Sequence, residues 1–160
     1  MRILFSILAM FTAFLTAGAQ NAVDILTKMP PSRIVFNERV FNKSGVETGS
    51  KTGSAEVQYP CFSVSYGTII ICGDGKTVWY RDTADDEVTI SGGSALDAMF
   101  SDKSIRFDAK NKTVTVGTPD GGHRDFRIVF VEEFESKWPE SHFRMEPSTF
   151  GPNTIVTDLR

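Results

Sequence analysis

From Arg33 onward the chain alternates apolar and polar residues with a period of two, which is the signature of half-buried strands rather than helices. The pattern runs through RIVFNERVF, GSAEVQY, CFSVSY, TIIIC, KTVWYR and EVTIS, separated by GVETGSKTGS, YP, YGT, CGDGK and DTADDE. It resumes in SIRFDA, KTVTVG, HRDFRIVFVEEF, HFRMEP and NTIVTDL. Helical spacing occurs in two places. Val23, Leu26 and Met29 recur on one face until Pro30-Pro31 stops the run, and Leu96, Met99 and Phe100 share a face in GGSALDAMFSDKS. The pattern predicts an α+β, mainly β chain: an antiparallel meander of about nine to eleven strands, expected to curl, with a short helix before it and another interrupting it.

Two tight turns set the pairing of the central strands. If Tyr66-Gly67 forms a two-residue hairpin loop, Ser65 faces Thr68, Phe62 faces Ile71, and Cys61 stands opposite Cys72. A second turn at Asp74-Gly75 then sets Ile71 against Val78. One face of this unit carries Phe62, Val64, Tyr66, Ile69, Ile71, Val78 and Tyr80; the other carries Cys61, Ser63, Ser65, Thr68, Ile70, Cys72, Thr77, Trp79 and Arg81. The apolar row suits either a ligand cavity, covered by Leu96, Met99 and Phe100, or an ordinary core between sheet and helix.

The N-terminus, MRILFSILAMFTAFLTAGAQ, changes the chemistry expected of those cysteines. A basic residue, an apolar run from Ile3 to Leu15 and Ala17-Gly18-Ala19 read as a cleaved secretory signal over residues 1–19, leaving one exported domain over 20–160. In an oxidising compartment two facing thiols are expected to form a structural disulfide worth about 2–3 kcal/mol, the alternative being two reduced cysteines in strands. The formal charge is −3 and the basic residues are scattered, which excludes the basic stripe of a nucleic-acid binder. Of the 13 phenylalanines Phe5, Phe11 and Phe14 belong to the signal, and the surplus in the rest points to a large apolar interior or an apolar cavity.

Catalytic patterns are missing from the sequence. His123 and His142 have no zinc-site spacing, and Ser94 follows Gly92-Gly93 without a nucleophile elbow. The acidic run Asp82, Asp85, Asp86, Glu87 lacks the ligand order of a calcium loop, and GDGK is a hairpin turn with no helix behind it to hold phosphate. The reading is of a protein that is not an enzyme, with no catalytic residue, metal site or cofactor.

The string GDGKTVWYRDTADDEVTI, preceded by GSAEVQYP and a tight aromatic hairpin, resembles the LolA-like family of periplasmic outer-membrane lipoprotein carriers. Asp74, Gly75, Lys76, Thr77, Trp79 and Tyr80 match the family's motif position by position, and Phe36-Asn37-Glu38 stands where the family has an aromatic segment. The resemblance implies a half-open antiparallel β-barrel of the LolA/LolB kind, with a lid formed here by Leu96, Met99 and Phe100. Its apolar cavity would add Phe36 to the row from Phe62 to Tyr80. It further implies a monomeric periplasmic carrier of acylated lipoprotein or other long-chain lipid cargo, with an inner-membrane release complex and an outer-membrane acceptor as partners. The chain departs from the family at Tyr59, where the family has a latch Arg, in a shorter lid, in an abbreviated C-terminal part, and in having Cys61 and Cys72. The alternative is a non-catalytic interaction or structural module of the cell envelope, its barrel filled by its own side chains.

Overall fold

The computed structural model describes residues 29–93, 105–108, 111 and 113–160, with 105–108 as backbone alone. The described residues form ten strands: β1 (Ser32–Phe41), β2 (Glu47–Gln58), β3 (Cys61–Tyr66), β4 (Ile69–Gly73), β5 (Thr77–Asp82), β6 (Glu87–Gly92), β7 (Ile105–Asp108), β8 (Thr113–Gly117), β9 (His123–Glu133) and β10 (Ile155–Asp158). They form one sheet in the order β10-β6-β5-β4-β3-β2-β1-β9-β8-β7.

This corrects the expected half-open antiparallel barrel with helices. The sheet is open, since its end strands β10 and β7 have no pairing with each other, and it is mixed, because β10 runs parallel to β6. The cause lies in the connection after β9. Residues 134–154 run along the sheet's outer face to its far edge, so the last strand arrives beside β6 pointing the same way. Within that connection HFRMEP, expected as a strand, forms no ladder: a 3-10 turn occupies Glu140–Phe143 and a second Pro147–Thr149. These turns are the helical elements among the described residues. The expected signal segment, the N-terminal helix at Val23 and Leu26 and the lid helix at Leu96, Met99 and Phe100 lie outside those residues. Met29 is described; it sits in irregular chain and packs against the inner core.

β2 is longer than expected and absorbs GSKTGS. The turn that starts it is held by Asn42, whose side-chain Oδ1 accepts from the Ser44 and Val46 backbone N–H groups. Strand β1 is therefore paired along its whole length on both sides, to β2 and to β9.

Both central hairpin turns sit one residue later than expected. Tyr66 pairs with Ile69 around Gly67-Thr68, and Asp74 N–H donates to Thr77 O around Gly75-Lys76. In each case glycine, not its predecessor, holds positive φ at the first turn position: 57° at Gly67 and 87° at Gly75. That is the position a two-residue loop with one left-handed residue reserves for glycine. A turn one residue later moves the pairing by two residues, so each side chain keeps its face.

The same slip separates the cysteines. Cys61 pairs with Gln58 and Cys72 with Ser63, and both thiols are free and buried. The expected disulfide is absent because the register that set Cys61 opposite Cys72 is not the one formed.

Candidate inner binding face

The strands place their apolar residues in rows across the inner face. One row runs Tyr80, Ile71, Val64, Ala55, Ile34, Val131, from β5 to β9. The next holds Ile69, Tyr66, Gly53, Phe36 and Ile128, and a third Val78, Gly73, Phe62, Val57 and Ser32. Phe36, Phe62, Val64, Tyr66 and Ile71 are buried members of one cluster that extends to Val114, Val116 and Phe126, while Ile69, Val78 and Tyr80 are half-buried against it.

The glycines in those rows are seats for rings. Phe36 on β1 lies over Gly53 on β2 and stacks on Tyr66 of β3 at 6.2 Å, and on its other side meets Phe126 at 6.1 Å. A Cβ at Gly53 would run into the Phe36 ring, and one at Gly73 into the ring of Phe62. An aromatic ring folded over a cross-strand glycine covers backbone that would otherwise be open to water, and lets residues two strands apart touch.

The face is not wholly apolar. Glu38 follows Phe36 at the same parity and is 0% exposed, with Lys51 and Phe126 as its cross-strand neighbours. Its Oε1 accepts from Arg124 Nη1 at 2.8 Å, whereas Oε2 has no partner. Arg124 remains 30% exposed, so the pair spans from the buried face to its wet margin. Lys51 reaches that margin too, with its ammonium 5.5 Å from the centroid of the Tyr66 ring. Alternation through RIVFNERVF already places Glu38 on the Ile34–Phe36 side; its partner Arg124 is 86 residues away and has no local signal.

The outer face is closed by the connection to β10. Cys72, Trp79, Val88 and Ile90 form a second cluster, with Met145 and Phe150 packed on it. Trp79, one of the motif residues, thus faces away from the inner row. Polar clamps hold the connection down. Gln58 Nε2 donates to Trp138 O while Trp138 N–H donates to Gln58 Oε1. Glu56 takes Arg33 at 2.9 Å and His142 at 2.6 Å, and Asp74 takes Arg144 at 2.8 Å. His142 also stacks on Trp138, and Phe143 beside it is fully buried. His123, the other histidine, stacks on Phe41 at 4.7 Å.

The motif residues Asp74, Gly75, Lys76 and Thr77 form the β4–β5 turn. Burial works against the Asp74 charge, but the backbone N–H groups of Thr77 and Lys76 and the Arg144 guanidinium outweigh it and hold the carboxyl below its usual range. Glu56 follows the same logic: burial opposes its charge, and His142 and Arg33 more than offset it. Burial pushes the thiols of both cysteines up, which keeps them protonated and inert at neutral pH. Among the described residues no group of three or more His, Cys, Asp and Glu is placed to hold a metal ion.

No protein-family model matches the chain, and no curated protein matches it. Among solved structures it is similar to an uncharacterized conserved protein from Thermus thermophilus, at 9% identity and a TM-score of 0.48, over 82% of this chain and 92% of that one.

Proposed function

We propose that the protein is a periplasmic carrier or binder of acylated cargo, a lipoprotein or another long-chain lipid, whose chains lie against the inner face. The observation that carries this reading is the continuous apolar cluster of Phe36, Phe62, Val64, Tyr66 and Ile71, buried on the inner side of the sheet and flanked by the half-buried Ile69, Val78 and Tyr80. Each methylene removed from water contributes about 0.8 kcal/mol, so a broad apolar face without a reactive group is what a chain-sheltering protein needs. The signal-like N-terminus and the GDGKTVWY motif support the same reading. Loading and release are then an equilibrium between covered and uncovered states of that face, drawn forward by an acceptor with higher affinity for the chain.

A second reading is favoured by one specific observation: Phe36 and Phe126 are 0% exposed, so the aromatic residues already fill part of the face themselves. On that reading the protein is a non-catalytic interaction module of the cell envelope. Photo-crosslinking in cells separates the two. A photoreactive residue at Tyr80, half-buried on the inner side, is compared with one at Ser65, exposed on the outer side. Acylated adducts formed from position 80 and not from 65 support the carrier. Their absence, in protein shown to be folded and exported, supports the module.

A further inference from the structure

Glu38 is the fully buried charged residue of the inner face. Its side chain is fully buried among Phe36 and Phe126, yet only one of its carboxylate oxygens is used. Buried acceptors are nearly always matched with a donor, and one left open is costly, which makes an orphan oxygen a place where a donor belongs. Among the described residues no side chain supplies it. Lys51, directly across on β2, directs its ammonium to the Tyr66 ring, and Arg124 is committed to the other oxygen.

We propose that Glu38 Oε2 receives a hydrogen bond from the head of the bound amphiphile, which makes the cargo an acyl chain ending in a neutral N–H or O–H donor. This rests on the carrier reading above and adds the head-group chemistry to it. Charge selects among heads. The Arg124 guanidinium, 2.8 Å from Glu38, and the Lys51 ammonium disfavour a cationic head, while the carboxylate itself repels an anionic one at Oε2. A neutral amide or hydroxyl meets neither penalty. The position also fits an amphiphile's polarity: apolar rings on one side of Glu38, and on the other the partly exposed Arg124, through which the head reaches water.

The test is a ranking at constant chain length, read as displacement of anilinonaphthalene sulfonate from the purified protein by palmitamide, hexadecanol and methyl palmitate. Palmitamide is expected to bind about tenfold more tightly than methyl palmitate, which lacks a donor. A preference shared by hexadecanol assigns a hydroxyl head, and one confined to palmitamide assigns an amide. Glu38→Gln sharpens the result: its amide oxygen keeps Arg124 while its NH₂ takes the place of Oε2, so the donor preference is expected to vanish and methyl palmitate to gain. Should that variant fail to fold by circular dichroism, the wild-type ranking decides alone. Equal affinities for palmitamide and methyl palmitate overturn the head-group assignment and leave the carrier reading standing. Displacement by none of the three overturns both.

Discussion

The two faces of this sheet are built by the same strands and held in different ways. The inner face is packed through buried rings lying over glycines, Phe36 on Gly53 and Phe62 on Gly73, with the Glu38–Arg124 pair at its margin. The outer face is closed by a length of irregular chain clamped at Gln58, Glu56 and Asp74. Apolar packing contributes in proportion to area and is insensitive to pH; ion pairs with one exposed partner, such as Arg144 on Asp74 and His142 on Glu56, contribute less and depend on protonation. The outer connection is therefore expected to yield before the inner face.

The sharpest way to break that comparison is to remove a ring. Phe36→Ala is expected to cost about 3–5 kcal/mol, because the side chain is fully buried and touches Tyr66 on one side and Phe126 on the other. Urea denaturation measures it. A loss under about 1 kcal/mol would mean that the ring's site collapses freely and that the face is not tightly packed.

Next comes the seat. Gly53→Ala inserts a methyl group where the Phe36 ring lies, an overpacking expected to cost about 1–3 kcal/mol. In the Phe36→Ala background the same change meets no ring and is expected to be neutral or stabilising, since alanine restricts the unfolded chain more than glycine does. The coupling between the two sites, read from a double-mutant cycle, isolates the ring-on-glycine contact.

These two positions also show what a sequence pattern carries. The assignment of residues to faces in the central hairpins was legible, because alternation fixes parity and a turn one residue later moves the pairing by two. Cross-strand partners were not, because they depend on which residue of Tyr66-Gly67-Thr68 takes the left-handed conformation. Glu38 was not singled out from the sequence, although alternation from Ile34 and Phe36 sets it on their side; its partner depends on β9, far along the chain. The parallel β10 could not be read at all, since nothing in NTIVTDL records which edge of the sheet it will join. The same limit explains HFRMEP, whose alternation mimics a strand while Phe143 and Met145 in fact anchor an irregular segment on the outer face.

A smaller effect distinguishes the faces by pH. Glu56 and Asp74 both titrate lower in the folded chain than in the unfolded one. Their contribution is thus fully present above the ordinary carboxylate value of about 4 and is lost as pH falls through the depressed folded values. Acidification is expected to raise proteolytic cleavage within 134–150 before the inner face unfolds. Arg144→Ala, which removes the partner of Asp74, is expected to cost about 1 kcal/mol and to reproduce part of that cleavage at neutral pH. Cleavage in 134–150 that only accompanies global unfolding would merge the two regions into one cooperative unit.

The last effect is one of zero size, and the register makes it. A disulfide joining Cys61 to Cys72 would stabilise by about 2–3 kcal/mol and would vanish on reduction. With Cys72 opposite Ser63 and both thiols free, dithiothreitol is expected to leave the Tm unchanged. Thiol titration of denatured, unreduced protein is expected to find both cysteines reactive, while in the native state their burial slows the reaction at each. A fall in Tm on reduction, with no thiol found before it, would require Cys61 and Cys72 to be brought together. Because they stand two residues out of register, that means sliding β3 along β4 by two positions. The slide would keep every side chain on its own face but take Gly73 away from Phe62, whose ring now lies over it. An oxidised pair and the Phe62 seat are therefore mutually exclusive, and the thiol count reports which of the two the hairpin has formed.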